Sequence, residues 1–169
     1  SGNSSYSGTT RISGGTLVLT GSGRLSSDSS LELAGGTLEI ADAAGSDGQD
    51  FAALSLLADS TIDLDFSALS FASLDQVVTG AHLSIVDYLY DASLGYALRF
   101  LGDYSGSADF LALLAGTTIN GGSAGYYYDG SYTGIVAAQA AAVPEPASVA
   151  LLLQSLGLLG FVALKRKRG

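Results

Sequence analysis

The sequence predicts a mainly β protein, with a short parallel β-helix or solenoid followed by one C-terminal transmembrane helix. Three observations predict this. A glycine-rich motif recurs after 21 residues, several segments alternate apolar and polar residues, and an uncharged apolar run precedes a basic C-terminus. Alternation at period two is typical of strands, and a repeat of about 20 residues is typical of solenoid coils. A β-sandwich of antiparallel strands is the alternative, because two repeat copies can also form a β-meander with glycine turns.

The N-terminal segment, residues 1–10, is rich in Ser, Gly and Thr and is expected to be a flexible lead-in. The chain starts at Ser1 with neither Met nor an apolar leader. We therefore expect the export signal to lie upstream, in a longer protein of which this is a C-terminal piece.

The repeat lies within residues 11–41, the first part of a β-rich exported domain predicted over 11–136. Residues 13–19 read SGGTLVL and residues 34–40 read AGGTLEI, each a Gly-Gly turn followed by a short strand. The first coil of such a stack lacks a covering neighbour, so we expect self-association through the N-terminal solenoid edge. The wording Gly-Gly-Thr-Leu-x-[Leu/Ile] resembles the autotransporter-associated β-strand repeat over residues 6–41, which implies a passenger-type parallel β-helix.

Residues 42–136 are expected to form the terminal unit of this domain. The order of elements is similar to the unit that follows autotransporter-associated repeats in other proteins. The predicted strands and one helix cover residues 51–58, 60–66, 82–87, 97–101, 109–115 (the helix, ending at Gly116), 117–120, 126–128 and 133–137.

The strand predicted at residues 60–66 places acids and apolar side chains on opposite faces. Ile62, Leu64 and Phe66 are expected to face the core, and Asp63 and Asp65 the solvent. A carboxylate pair is also what a glycosidase uses. Alternating acids on the wet face of a half-buried strand explain the same pattern, and we favour that interpretation.

Other candidate chemistry has a simple structural explanation. His82 is the single histidine, so any Ser-His-Asp triad must include it, but no nucleophile-elbow sequence is present. The acidic loop at residues 42–50 fits neither the EF-hand pattern nor the glycine-rich nonapeptide repeat, and it is expected to be a solvated turn instead of a calcium site. Tyr132 and the tyrosines at 126–128 could stack on sugars, but a terminal cap also uses such rings, and the cap is favoured. We expect no cofactor and no metal site.

Charge excludes one class of partner. Residues 1–142 carry 15 acids and only three bases, Arg11, Arg24 and Arg99, and there is no Cys in the chain. A nucleic-acid binder needs a basic surface to neutralise phosphates, so nucleic acid is excluded as a partner.

The C-terminal end begins with a linker at residues 137–146 that contains Val143, Pro144, Glu145 and Pro146. Residues 147–164 follow, 18 residues without a charge. As a helix this run would be about 27 Å long, close to the hydrocarbon thickness of a lipid bilayer, so we predict a transmembrane helix. The two prolines mark its start, because proline is tolerated in the first turn of a helix.

The last residues, 165–169, are predicted to be a cytoplasmic tail. Lys165, Arg166, Lys167 and Arg168 are consecutive bases. The positive-inside rule keeps them in the cytoplasm and places the N-terminal domain on the other side of the membrane.

The Pro-Glu-Pro motif, the apolar span and the basic cluster together resemble the PEP-CTERM sorting signal of Gram-negative bacteria. The resemblance covers about the last 27 residues. It implies a partner exosortase that cleaves near Pro144–Pro146, and a protein tethered to the inner membrane before transfer to the cell surface or extracellular matrix. We therefore expect a non-enzymatic structural or adhesive surface protein, with exopolysaccharide as a further candidate partner. The alternative is a carbohydrate-active enzyme or carbohydrate-binding module of the cell envelope.

Overall fold

The computed structural model describes residues 4–20, 23–41, 48–89 and 95–138. Within these residues it contains twelve β-strands and one α-helix. In chain order they are β1 (Thr9–Ile12), β2 (Thr16–Thr20), β3 (Ser30–Ala34), β4 (Thr37–Ala41), β5 (Gln49–Ala58), β6 (Ser60–Asp63), β7 (Leu69–Val77), β8 (Leu83–Val86), β9 (Leu98–Leu101), α1 (Ala108–Ala115), β10 (Thr117–Ile119), β11 (Gly122–Tyr128) and β12 (Tyr132–Ala137).

The strands form a parallel β-solenoid with two opposing sheets. The odd-numbered strands β1, β3, β5, β7 and β9 pair in parallel in one sheet, here called the odd sheet. The even-numbered strands β2, β4, β6, β8 and β10 pair in parallel in the other, the even sheet. The predicted mainly β solenoid is thus confirmed, and the antiparallel sandwich is wrong because each strand of these two sets pairs with the next coil instead of with its sequence neighbour.

The 21-residue repeat corresponds to one coil of the solenoid, so equivalent residues of its two copies pair with each other. Thr16 lies beside Thr37 in the even sheet, and Arg11 beside Glu32 in the odd sheet, both at the 21-residue offset of the repeat. The Gly-Gly corners stack as well, because the Thr37 N–H donates to the Gly15 carbonyl at 2.9 Å. Identical corners in successive coils therefore hold the two sheets in register.

The core lies between the two sheets and is made of the inward-facing side chains of both. Its fully buried members include Leu31, Leu33, Leu38, Ile40, Leu54, Leu56, Ile62, Leu83 and Ile85. An aromatic ladder runs through it across three neighbouring strands. Phe51 stacks on Phe71 with ring centroids 5.5 Å apart, and Phe71 stacks on Phe100 at 5.4 Å. Burial of these apolar side chains stabilises the stacking of the coils, because each coil can bury its apolar face only against its neighbours.

The C-terminal end of the solenoid is closed by α1, β11 and β12. Ser107 caps the helix by accepting a hydrogen bond from the Phe110 N–H, and the helix buries Phe110 and Leu113. Strand β11 pairs antiparallel with β10 of the even sheet and with β12, which in turn pairs antiparallel with β9 of the odd sheet. Among the described strands only β1 and β2, both in the first coil, are edges. The stack is therefore capped at one end and open at the other.

Three local expectations differ from the structure. The helix at 109–115 and the three closing strands are confirmed, but β6 ends at Asp63. Phe66, predicted to face the core, is 59% exposed and has a φ of +65°, so the chain turns before it. A nine-residue strand, β7, was missed, because its alternation breaks down after Phe71. His82 precedes β8 by one residue instead of lying inside a strand.

Candidate functional site

The predicted sorting residues lie outside the described residues. This holds for Val143, Pro144, Glu145 and Pro146, for the span at 147–164, and for the basic residues from Lys165 to Arg168. In the ranges from 4 to 138 that the structure describes, no helix is long and apolar enough to cross a membrane. The predicted transmembrane helix therefore stays a prediction.

The two carboxylates of the candidate glycosidase pair lie at a turn. Asp63 is the last residue of β6, and its side-chain oxygen lies 3.4 Å from the backbone nitrogen of Asp65. Asp65 has a φ of +40°, typical of a turn. This contact is the local bond by which an Asp side chain stabilises a turn, and it gives the Asp63 carboxylate a structural role.

His82 forms a surface pair with Asp59 at a corner of the even sheet. The His82 backbone N–H donates to Asp59 Oδ1 at 2.8 Å, and the ring Nδ1 lies 3.2 Å from the same oxygen. The backbone hydrogen bond from His82, assisted by the ring, holds the pKa of the Asp59 carboxyl below its usual value. Ser84 lies in the same depression of about 250 Å³, but within the described residues no hydroxyl hydrogen-bonds to the His82 ring. The earlier corners of the even sheet consist of Gly-Gly pairs. At this corner Asp59 and His82 stand in their place and connect two successive coils by polar contacts.

Arg99 is the centre of an unusual cluster on the outer face of the odd sheet. Its guanidinium carbon lies 4.6 Å from the Tyr96 ring centroid and 4.4 Å from that of Tyr132. Its Nε donates to the Ser70 hydroxyl at 2.7 Å. Two rings and one hydrogen bond therefore fix the orientation of the guanidinium plane.

The cluster borders a depression of about 240 Å³, called here the Arg99 depression, whose lining also includes Ser27, Asp50 and Leu101. Asp50, Ser70 and Arg99 lie side by side in register on β5, β7 and β9. Sequence reasoning missed this site. One feature of the sequence could have indicated the site. Arg99 is the one Lys or Arg between Arg24 and Lys165, and a tyrosine lies three residues before it.

Two of the other candidate tyrosines, Tyr126 and Tyr127, pack on the protein, whereas Tyr128 is 44% exposed. Tyr126 meets Phe110 edge to face, with ring centroids 5.5 Å apart. The Tyr127 ring covers Gly134 on the neighbouring strand, where a Cβ would come within 2.6 Å of it. These contacts agree with the predicted role of the tyrosines in the terminal cap.

Metal ligands do not cluster in the described part of the chain, where no three His, Cys, Asp or Glu side chains could hold an ion together. Of the acidic loop at 42–50, residues 42–47 lie outside the described ranges. Asp50 itself lies at the start of β5 with its side chain exposed.

Comparison with known proteins gives one match. The family described as the PEP-CTERM protein-sorting motif matches residues 142–167. No curated protein and no solved structure matches the chain. The motif implies an exported protein that is sorted to the cell envelope, with an exosortase as its processing partner. The match includes Val143 to Pro146 and three of the four terminal bases, and it agrees with the resemblance found in the sequence.

Proposed function

We propose that the chain with this sorting motif is a non-enzymatic structural or adhesive component of the cell surface or extracellular matrix. The observation that carries the proposal is the motif at residues 142–167, which follows in the sequence a capped β-solenoid whose last strand ends at Ala137. The order suits a protein whose folded part is delivered intact, because the signal can be removed without breaking into the cap.

The finer steps of the proposal concern the tail. Residues 147–164 span the inner membrane as a helix, with Lys165 to Arg168 in the cytoplasm and the solenoid in the periplasm. The exosortase then cleaves near Pro144–Pro146 and transfers the solenoid to its surface acceptor. A temporary anchor of this kind keeps the substrate in the membrane, where the processing enzyme can meet it.

Support for a non-enzymatic role comes from how the acidic side chains are used. Asp63 serves a turn, Asp59 links two coils, and Asp129 accepts hydrogen bonds from the Ser131 and Tyr132 N–H groups. Each of these carboxylates therefore has a structural task. The alternative of a carbohydrate-binding module is favoured by one observation, the Arg99 depression, and is taken up below.

Cell fractionation of the native host tests the proposal. The chain with Pro144→Ala, Glu145→Ala and Pro146→Ala should remain in the inner-membrane fraction, whereas the unchanged chain should reach the surface or medium. Replacing Gln139, Ala140 and Ala141 by Ser, three residues just before the motif, is the matched control and should leave sorting unchanged. Equal delivery of the triple Ala variant to the surface would contradict the proposal.

A further inference from the structure

We propose that the Arg99 depression binds a uronate, a sugar ring that carries one carboxylate, as part of an acidic polysaccharide. The proposal rests on the proposed surface or matrix function, because it names the class of matrix polymer that the solenoid contacts. It is carried by the fixed orientation of Arg99 and by the polar groups around it.

The guanidinium of Arg99 is held in place with two of its nitrogens left for a ligand. The Arg99 guanidinium packs against the rings of Tyr96 and Tyr132, and its Nε donates to the Ser70 hydroxyl. Within the described residues, no carboxylate lies within ion-pair distance of it. The two terminal nitrogens form a fork that matches the two oxygens of a carboxylate. A guanidinium already held in place loses little side-chain entropy on binding.

The Asp129 carboxylate, whose pKa the Arg99 charge helps to lower, is already hydrogen-bonded to backbone N–H groups. Asp129 is close enough for the Arg99 charge to contribute to lowering its pKa, after the hydrogen bonds from Tyr132 and Ser131. Those bonds hold its Oδ1 at the β11–β12 turn, 2.7 Å and 2.8 Å from the donor nitrogens. Asp129 therefore partly offsets the charge of Arg99 without occupying its fork.

The remaining polar groups of the depression favour a sugar as the ligand. Asp50, an exposed carboxylate, and the hydroxyls of Ser27 and Ser70 line it together with Arg99. A ligand that brings two or more carboxylates into the depression at once, such as an acidic peptide, would be repelled by the exposed Asp50, whereas each uronate ring brings one. A ring with one carboxylate and several hydroxyls suits both charged groups of the depression. Its carboxylate can bind Arg99, and its hydroxyls can donate hydrogen bonds to Asp50. The depression, about 240 Å³, lies below the roughly 300–1,000 Å³ of drug-sized sites, which suits a single ring.

The test compares two ligands that differ in one group. Methyl β-D-glucuronide and methyl β-D-glucoside share the sugar ring, and only the first carries a carboxylate. Both are titrated by NMR into the full chain in neutral detergent. We expect the glucuronide to shift the Arg99 Nε–H signal and the Tyr96 and Tyr132 ring signals in a saturable way. Binding of the glucoside should be at least about tenfold weaker, which corresponds to one lost charge-assisted hydrogen bond.

Acetate, a free carboxylate, and N-acetylglutamate amide, a peptide-like carboxylate, test whether the site requires a carboxylate on a sugar ring. Both should bind at least about tenfold more weakly than the glucuronide, because neither has ring hydroxyls. Equal binding by either would overturn the assignment to a sugar. Equal binding by the glucoside would overturn the recognition of a carboxylate by Arg99, and no shift at these signals with any ligand would overturn the site itself.

A conservative substitution tests the fork. Arg99→Lys keeps the charge but loses the planar pair of donors, so glucuronide affinity should fall about tenfold or more. Arg11→Lys, at the exposed ion pair with Glu32, is the matched control and should bind as the unchanged chain does. Unchanged affinity in Arg99→Lys would overturn the proposal.

Two further outcomes test the proposed ligand and the proposed function separately. The titration of the unchanged chain tests the site even where Arg99→Lys misfolds. Absence of glucuronide binding with normal surface delivery contradicts the ligand alone, whereas cleavage of a glucuronide polymer contradicts the non-enzymatic function.

Discussion

Gly36 shows at the scale of one residue why the repeat contains glycine. A Cβ at Gly36 would contact Ile12 Cγ2 and would lie 3.1 Å from the Gly14 nitrogen and the Gly15 carbonyl oxygen. The corner of one coil therefore rests directly on the corner of the previous coil. Gly14, by contrast, has open space around the position of a Cβ.

Gly36→Ala should therefore destabilise the fold by about 1–3 kcal/mol, the usual cost of overpacking. Gly14→Ala is the control and should stay within about 0.5 kcal/mol, because nothing stands in the way of its new methyl group. Urea denaturation followed by circular dichroism measures both. Equal losses in the two variants would show that the stacked corner does not depend on Gly36.

Asp129 gives a prediction for pH. Hydrogen bonds from the Tyr132 and Ser131 backbones lower the pKa of its carboxyl below the usual value of 3.8. A lowered pKa means that the charged form stabilises the fold. This stability is present above the unfolded value of about 3.8 and is lost as the pH falls through the folded value.

Asp129→Ala should accordingly lower the urea midpoint near neutral pH, and the difference from the unchanged chain should shrink below pH 3.8. Asp129→Asn keeps a side-chain acceptor for the same N–H groups, so it should lose less than Asp129→Ala near neutral pH. If the difference between Asp129→Ala and the unchanged chain were as large at about pH 2.5 as at about pH 7, the charge would have no part in it.

The aromatic ladder is the feature that matters at the scale of one element. Phe71 is buried between Phe51 and Phe100, whereas Phe66 is 59% exposed beyond the end of β6. Phe71→Ala should cost about 3–5 kcal/mol, because it leaves a cavity between two rings. Phe66→Ala should stay within about 0.5 kcal/mol, which corrects the expectation that Phe66 faces the core. Urea unfolding curves with similar losses for both variants would show that the faces are still assigned wrongly.

The sequence predicts some elements well because their signal is local. The strands of the two Gly-Gly repeats alternate regularly, and the helix has Ser107 before it and Gly116 after it, so both appear where expected. Phe66 was misplaced because apolar alternation continues past Asp63, while the turn depends on backbone angles that the pattern does not encode. The Arg99 cluster was missed because Ser70 and Tyr132 reach Arg99 only through the pairing of strands distant in sequence. The tail motif depends on residue order alone and was recognisable without a fold.

At the scale of the whole molecule, the described strands leave the solenoid open only at its first coil. Strand β2 has no charged residue and exposes Val18, features that favour pairing with another strand. In contrast, Leu31, Leu33, Leu38 and Ile40 of the second coil are fully buried between neighbouring coils. The boundary between open and protected structure thus falls after Thr20, between the two copies of the repeat.

Hydrogen exchange of the full chain should show this boundary. Amides of β1 and β2 should exchange faster than those of β3 to β8, because they lie at the open edge. Their protection should rise with protein concentration as copies associate through this edge. Uniform protection from Thr9 onward in a dilute monomer would contradict the open coil.

Mass spectrometry of the mature protein from its native host tests the central claim most directly. If the motif at residues 142–167 directs processing by an exosortase, the surface form should contain solenoid peptides but none from residues 151–164. In a host without the exosortase, the same tail peptides should be recovered from the membrane fraction. Recovery of an intact tail from the surface-exposed form of the protein would contradict the claim.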